Sequence, residues 1–137
     1  MKRLAIAFAL FAILSANKCV KKGAPDPAAL LDKTWIFETL NGEKVVMPDG
    51  VDTPWLNLSG DQLSGFGGCN KLMGSYKLGE SGLSFTGIGS TKMYCEGTMP
   101  TENAVKQVLG QVDTYTIDGA ALKLMGSGKE LATMRAK

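Results

Sequence analysis

Beyond residue 30 the chain alternates apolar and polar positions in short runs, the pattern of half-buried strands. Thr34–Leu40 (TWIFETL) reads as the first strand. Asn41-Gly42 follows, the dipeptide that supplies positive φ for a type I′ turn. Residues 43–47 return as a second strand, and residues 48–54 form a loop bounded by Pro48 and Pro54. Trp55–Ser59 (WLNLS) alternates, Gly60-Asp61 turns the chain, and residues 63–67 make the next strand. Tyr76 and Leu78 mark a strand, residues 79–82 a turn, and Leu83 and Phe85 another strand. Residues 87–98 lack a period and read as irregular. One helix is expected over 101–112, because Val105, Val108, Leu109 and Val112 recur at helical spacing. Thr101 is the expected N-cap, and Glu102 suits the positive end of the helix dipole. Residues 115–117, 122–125 and 131–134 complete the set, separated by Asp118-Gly119 and Gly126-Ser127-Gly128. The fold expected is α+β and β-rich: a small curled antiparallel sheet or barrel of about eight short strands in meander order, with one amphipathic helix.

The start of the chain has a different pattern. Met1-Lys2-Arg3 is followed by an unbroken apolar run from Leu4 to Leu14. Such a run suits a signal peptide and is too short to span a bilayer. The expected organisation is therefore a signal peptide at 1–18, a polar tether at 19–29 and one domain at 30–137. An exported chain can form disulfides. Cys19 admits two readings. It is a lipidation site ending a lipoprotein signal, or a spare thiol after ordinary cleavage behind Ala16. Lys18 departs from the small residue that a lipoprotein signal carries before its cysteine. The tether after it, with Lys21, Lys22, Pro25 and Pro27, suits a domain held off a membrane.

Composition narrows the function. Of 15 Lys and Arg, three (Lys2, Arg3 and Lys18) precede Cys19, leaving 12 against 13 Asp and Glu. That near-neutral balance gives no basic surface for nucleic acid. Histidine is absent, which removes the usual Ser-His-Asp and Cys-His mechanisms and histidine metal sites.

Residues 65–95 carry the most informative motifs: Gly68-Cys69-Asn70, Gly74-Ser75-Tyr76, Leu83-Ser84-Phe85 and Thr91-Lys92-Met93-Tyr94-Cys95. As an ordered set, with a Trp strand before it and a helix after it, this stretch resembles the META domain, the HslJ-like family of small bacterial envelope proteins. The resemblance covers about residues 30–135. It implies a small barrel-like sheet with one helix, no general enzymatic activity, no cofactor and a role in the envelope.

Cys69 and Cys95, 26 residues apart and each at a turn, read as a disulfide. The alternatives are a redox thiol pair, which no C-x-x-C spacing supports, and a metal site, for which two thiolates are too few. Pairing leaves Cys19 over, and lipidation is a natural use for it. The glycines at 65, 67 and 68 lack the following Lys-Ser/Thr and helix of a phosphate cradle; they read as permitting close strand approach, with Asn70 capping its own turn. Ser90 and Lys92 lack the fixed, dry setting that a catalytic pair needs. No catalytic, metal or cofactor residue is assigned. Two loops are expected to contact a partner: one through Val51, Thr53 and Trp55, the other through Lys92, Met93, Tyr94 and Met99. The partner expected is a protein, either an envelope component or a secreted protease, bound by a monomer that reaches the outer membrane, periplasm or medium.

Overall fold

The computed structural model describes residues 25–80 and 82–137. The expected signal peptide, Cys19 and most of the tether lie outside the described residues. Nine antiparallel strands and two helices among the described residues make one sheet with a helical plug. The strands are β1 (Thr34–Leu40), β2 (Glu43–Lys44), β3 (Trp55–Ser59), β4 (Gln62–Phe66), β5 (Lys71–Leu78), β6 (Leu83–Ser90), β7 (Thr114–Asp118), β8 (Ala121–Gly126) and β9 (Lys129–Ala136). A single turn of helix, α1 (Pro27–Leu30), precedes them, and α2 (Met99–Leu109) joins β6 to β7.

The sheet order is β6-β5-β4-β3-β1-β9-β8-β7, with β2 paired to β1 off that path. The expected single meander is thus two meanders, β3 to β6 and β7 to β9, flanking β1. The sheet curls until its outer strands meet at one bridge, Gly82 with Thr114. β1 takes β3 against Thr34–Ile36 and β2 against only Thr39 and Leu40, on the same edge. This competition limits β2 to two residues where five were expected. Asn41 and Gly42 both have positive φ, 51° and 85°, as the expected turn requires.

Inward positions from all layers fill the interior. Trp35, Phe37, Leu58, Leu63, Leu83, Leu124 and Met134 pack with Val105, Val108 and Leu109 of α2, all nearly inaccessible to water. A β-bulge at Glu38 explains why Phe37 and Leu40 both face inward: Phe37 opposes Met134 and Thr39 opposes Thr133, so Glu38 is an extra residue. A second bulge lengthens β6. Ser75 opposes Thr86 but Met73 opposes Gly89, and Gly87 takes φ +63° between them. The strand therefore runs on to Ser90 through residues that looked irregular.

The two ends of the β3 to β6 meander differ. At one end α1 begins on the Asp26 cap and buries Leu30, whose carbonyl accepts a 2.9 Å bond from Trp35 Nε1. Tyr76 Oη donates to Gly60 O there at 2.6 Å. At the other end lie the turn at 67–70, the loop at 91–98 and the start of α2. The helix starts two residues earlier than expected, at Met99, with Pro100 in its first turn. Proline fits there because its missing N–H would find no helical partner anyway. Thr98, and not Thr101, is the capping position; its hydroxyl bonds Cys95 O at 3.2 Å and makes no side-chain cap.

Candidate functional site

The second end of the barrel-like sheet is built around Asn70. β4 ends at Phe66, and the chain turns through Gly67, Gly68, Cys69 and Asn70 into β5. Gly68 holds φ +116°, a conformation that side chains disfavour. Gly67 matters for a different reason. A Cβ there would lie 2.8 Å from Glu102 Cγ, so only glycine lets α2 come this close.

Asn70 is buried and uses its whole amide. Its Oδ1 accepts from Met93 N at 2.7 Å and from Thr91 Oγ1 at 2.8 Å. Its Nδ2 donates to Met93 O and to Glu102 Oε1, both at 3.0 Å. Two acceptor sites and two donor hydrogens are thereby satisfied. Its backbone N–H donates to Glu102 Oε2 at 2.6 Å. The side chain was expected to cap its own turn. Instead it pairs with the backbone of a loop 23 residues on.

Glu102 is fully buried on the first turn of α2. Burial alone would push its carboxyl pKa up. The Asn70 N–H, the Asn70 amide and the Lys106 ammonium, 3.3 Å away, outweigh that and hold it below the ordinary carboxylate value. The group therefore stays ionised and works as a polar pin between α2 and the turn. Sequence reasoning placed Glu102 correctly at a helix start but assigned it only to the dipole. The missed signal was a lone acid on the same helix face as Val105 and Leu109.

Cys69 and Cys95 form a disulfide with Cα atoms 5.7 Å apart. It joins the turn directly to the loop. The Sγ of Cys69 also sits 3.5 Å from Met93 O; being bridged it carries no proton, so this is a packing contact.

Above this base the loop at 91–98 is exposed. Tyr94 is 81% accessible and Met93 57%. Lys92 is exposed as well, and Met99 is half-buried at the start of α2. The loop at 45–54 lies alongside. Met47 covers Gly68, and the Pro48 ring lies within van der Waals reach of a side chain on Gly97. Val46, 76% accessible, lines an open groove of about 410 Å³ with Val45, Pro100, Thr101 and Ala104. The two loops named from sequence thus converge at one end. Their residues do not all share it. Val51 is half-buried, while Thr53 and half-buried Trp55 line a separate groove of about 380 Å³ with Thr34, Ile36 and Arg135. Among the described residues no three His, Cys, Asp or Glu are grouped to hold a metal ion. No described helix is long and apolar enough to cross a membrane.

Fold and loop cluster together define a small β domain closed by one helix and cross-tied at one end. The META domain model matches residues 28–137, and the chain belongs to the META domain family. No curated protein matches it. Two solved structures are similar to it. One is the NMR structure of a protein from Burkholderia xenovorans, 25% identical, with TM-score 0.67, covering 100% of this chain and 99% of that one. The other, also an NMR structure, is 21% identical with TM-score 0.64, covers 80% of this chain and 93% of that one, and bears on the fold alone.

Proposed function

We propose that the protein is a non-enzymatic, exported binding domain of the cell envelope. In this reading a lipid on Cys19 anchors it to a membrane, and it binds a protein partner with the barrel end where residues 45–48 and 91–98 meet. Partner binding there supports envelope assembly or stress tolerance. One observation carries the reading: Met93 and Tyr94 stand 57% and 81% exposed on a loop whose backbone is held from beneath. Exposed Met and Tyr are enriched at protein contacts. Holding them in place lowers the ordering cost of association. A monomer without cofactor or metal suffices for such binding.

The test is capture from the envelope fraction of the source organism, with the full chain and a Met93→Ser/Tyr94→Ser variant as paired baits. A partner retained by the first and lost by the second, at equal melting temperature, is the expected result. Equal capture by both removes the loop from the account. Detergent-phase partitioning of the chain against Cys19→Ser tests the anchor separately: an anchored protein moves to the aqueous phase on substitution.

A second reading, inhibition of secreted proteases, is favoured by the same loop, where the exposed Tyr94 adjoins the disulfide-bonded Cys95.

A further inference from the structure

The backbone of residues 91–95 alternates. Thr91 N donates inward to Lys71 O at 3.2 Å, and Met93 exchanges both its N–H and its C=O with the Asn70 amide. Lys92 and Tyr94 make no backbone hydrogen bond among the described residues. In an extended chain the N–H and C=O of one residue point to one side and those of its neighbours to the other. Residues 91–95 form neither helix nor turn, and the chain turns only at 96–98, just before α2. The loop is thus an extended segment with its inner edge paired to Asn70 and its outer edge, at Lys92 and Tyr94, free to pair with another chain.

This is the form in which a peptide enters a protease cleft. We propose that residues 91–95 are a substrate-like inhibitory loop for a serine protease whose specificity pocket takes aromatic side chains, with Tyr94 filling that pocket. The proposal rests on the loop-binding reading above, taken in its second form, inhibition of a protease, and names the enzyme class.

A second feature explains why such a loop would inhibit and not merely be cut. Both sides of the Tyr94–Cys95 peptide bond are tied to one turn. Met93 is held by Asn70, and Cys95 is bonded to Cys69. When the protease serine attacks the Tyr94 carbonyl carbon, the bond to the Cys95 nitrogen breaks and that nitrogen takes up the proton. The serine is then acylated by Tyr94. In an ordinary substrate the new amine diffuses away. Here the disulfide keeps it in place, at a high effective concentration, so it attacks the ester, re-forms the peptide bond and releases the serine. Glu102 steadies the arrangement by holding Asn70 from the far side. A rigid loop of this kind also loses little freedom on binding.

Inhibition of chymotrypsin and trypsin by the full chain is the test, with Tyr94→Lys and Tyr94→Gly as variants. Tyr94 is largely exposed, so both variants should keep the parent melting temperature. Chymotrypsin should be inhibited by the parent chain, and trypsin not. Tyr94→Lys should shift that preference toward trypsin by about a hundredfold or more, because the pocket residue sets which side chain is accepted. Prolonged incubation should nick only the Tyr94–Cys95 bond, leaving two pieces joined by the disulfide and heavier by one water. Absence of inhibition of both enzymes, or digestion at many bonds, overturns the proposal. If Tyr94→Gly nevertheless abolishes envelope capture, the broader loop-binding reading survives alone. If it alters neither inhibition nor capture, both are wrong.

Discussion

Two loops meet at one end of this molecule and are secured by different means. Residues 91–98 are tied by a disulfide, by both backbone groups of Met93 on Asn70, and through Asn70 to the buried Glu102. Residues 45–54 rest on van der Waals contacts of Met47 and Pro48 and a few backbone bonds, such as Val45 N to Glu38 O at 2.9 Å and Val51 N to Pro48 O at 3.1 Å. Both expose large apolar side chains, Tyr94 in one and Val46 in the other. Only the first uses a buried charge and a covalent cross-link to hold them. The difference separates a loop whose shape is specified from one that follows its neighbours.

The sharpest way to break the contrast is Glu102→Ala. It orphans the Asn70 N–H and one amide hydrogen in a buried site, at about 2 kcal/mol each, so a loss of about 4 kcal/mol is expected in urea unfolding. Faster hydrogen exchange at Met93 should accompany it, with Val51 unchanged. Removing the cross-link with Cys69→Ser/Cys95→Ser comes next. Closing a 26-residue loop is worth about 3.5 kcal/mol in the chain-entropy model. A drop in melting temperature with new protease sensitivity confined to 91–98 is the expected readout. Should the 45–54 loop become equally sensitive, the two loops are one unit and the comparison fails.

Acid supplies a milder probe. The Glu102 pKa lies below its unfolded value, so its contribution is present above the ordinary glutamate pKa of about 4.3 and is lost as pH falls through the folded value. Wild-type stability should decline on that acid limb more steeply than that of Glu102→Gln. Base acts at the opposite end of the molecule. Burial first, then Asp32 and Asp61, raise the Tyr76 pKa, and burial and Asp26 raise that of Tyr115. Their stabilisation is complete below about pH 10 and is lost as pH rises through the folded values. Phe at both positions should flatten that alkaline limb. Smallest is Val46→Ser, on the unpinned loop, with a change within about 0.5 kcal/mol.

These contrasts also mark what could be read from the chain. Alternation located most strands, because inward positions such as Leu56, Leu58, Leu122 and Leu124 obey a period of two. It failed at β6, where the bulge around Gly87 breaks the period while the strand continues. It failed differently at β2: Val45 and Val46 look like strand residues, but β3 already occupies the edge they would need. The cysteines were legible by number and spacing. Asn70 and Glu102 were not, since neither residue type announces a partner 32 positions away. Polar groups of this kind are set by tertiary approach, which depends on Gly67 having no side chain.

The position of β1 has a consequence in time. Of the nine strands it is the first to be synthesised, yet Trp35 pairs with Ala136 and Leu40 with Ala132, near the far end of the sequence. The middle seam of the sheet cannot form until β9 is available, and pairings this remote are slow to close. A chain being made, or being threaded end-first through a membrane pore, therefore lacks the strand that would lock it. For a chain on such a route, folding is deferred to the far side, where the same late closure can coincide with oxidation of Cys69 and Cys95.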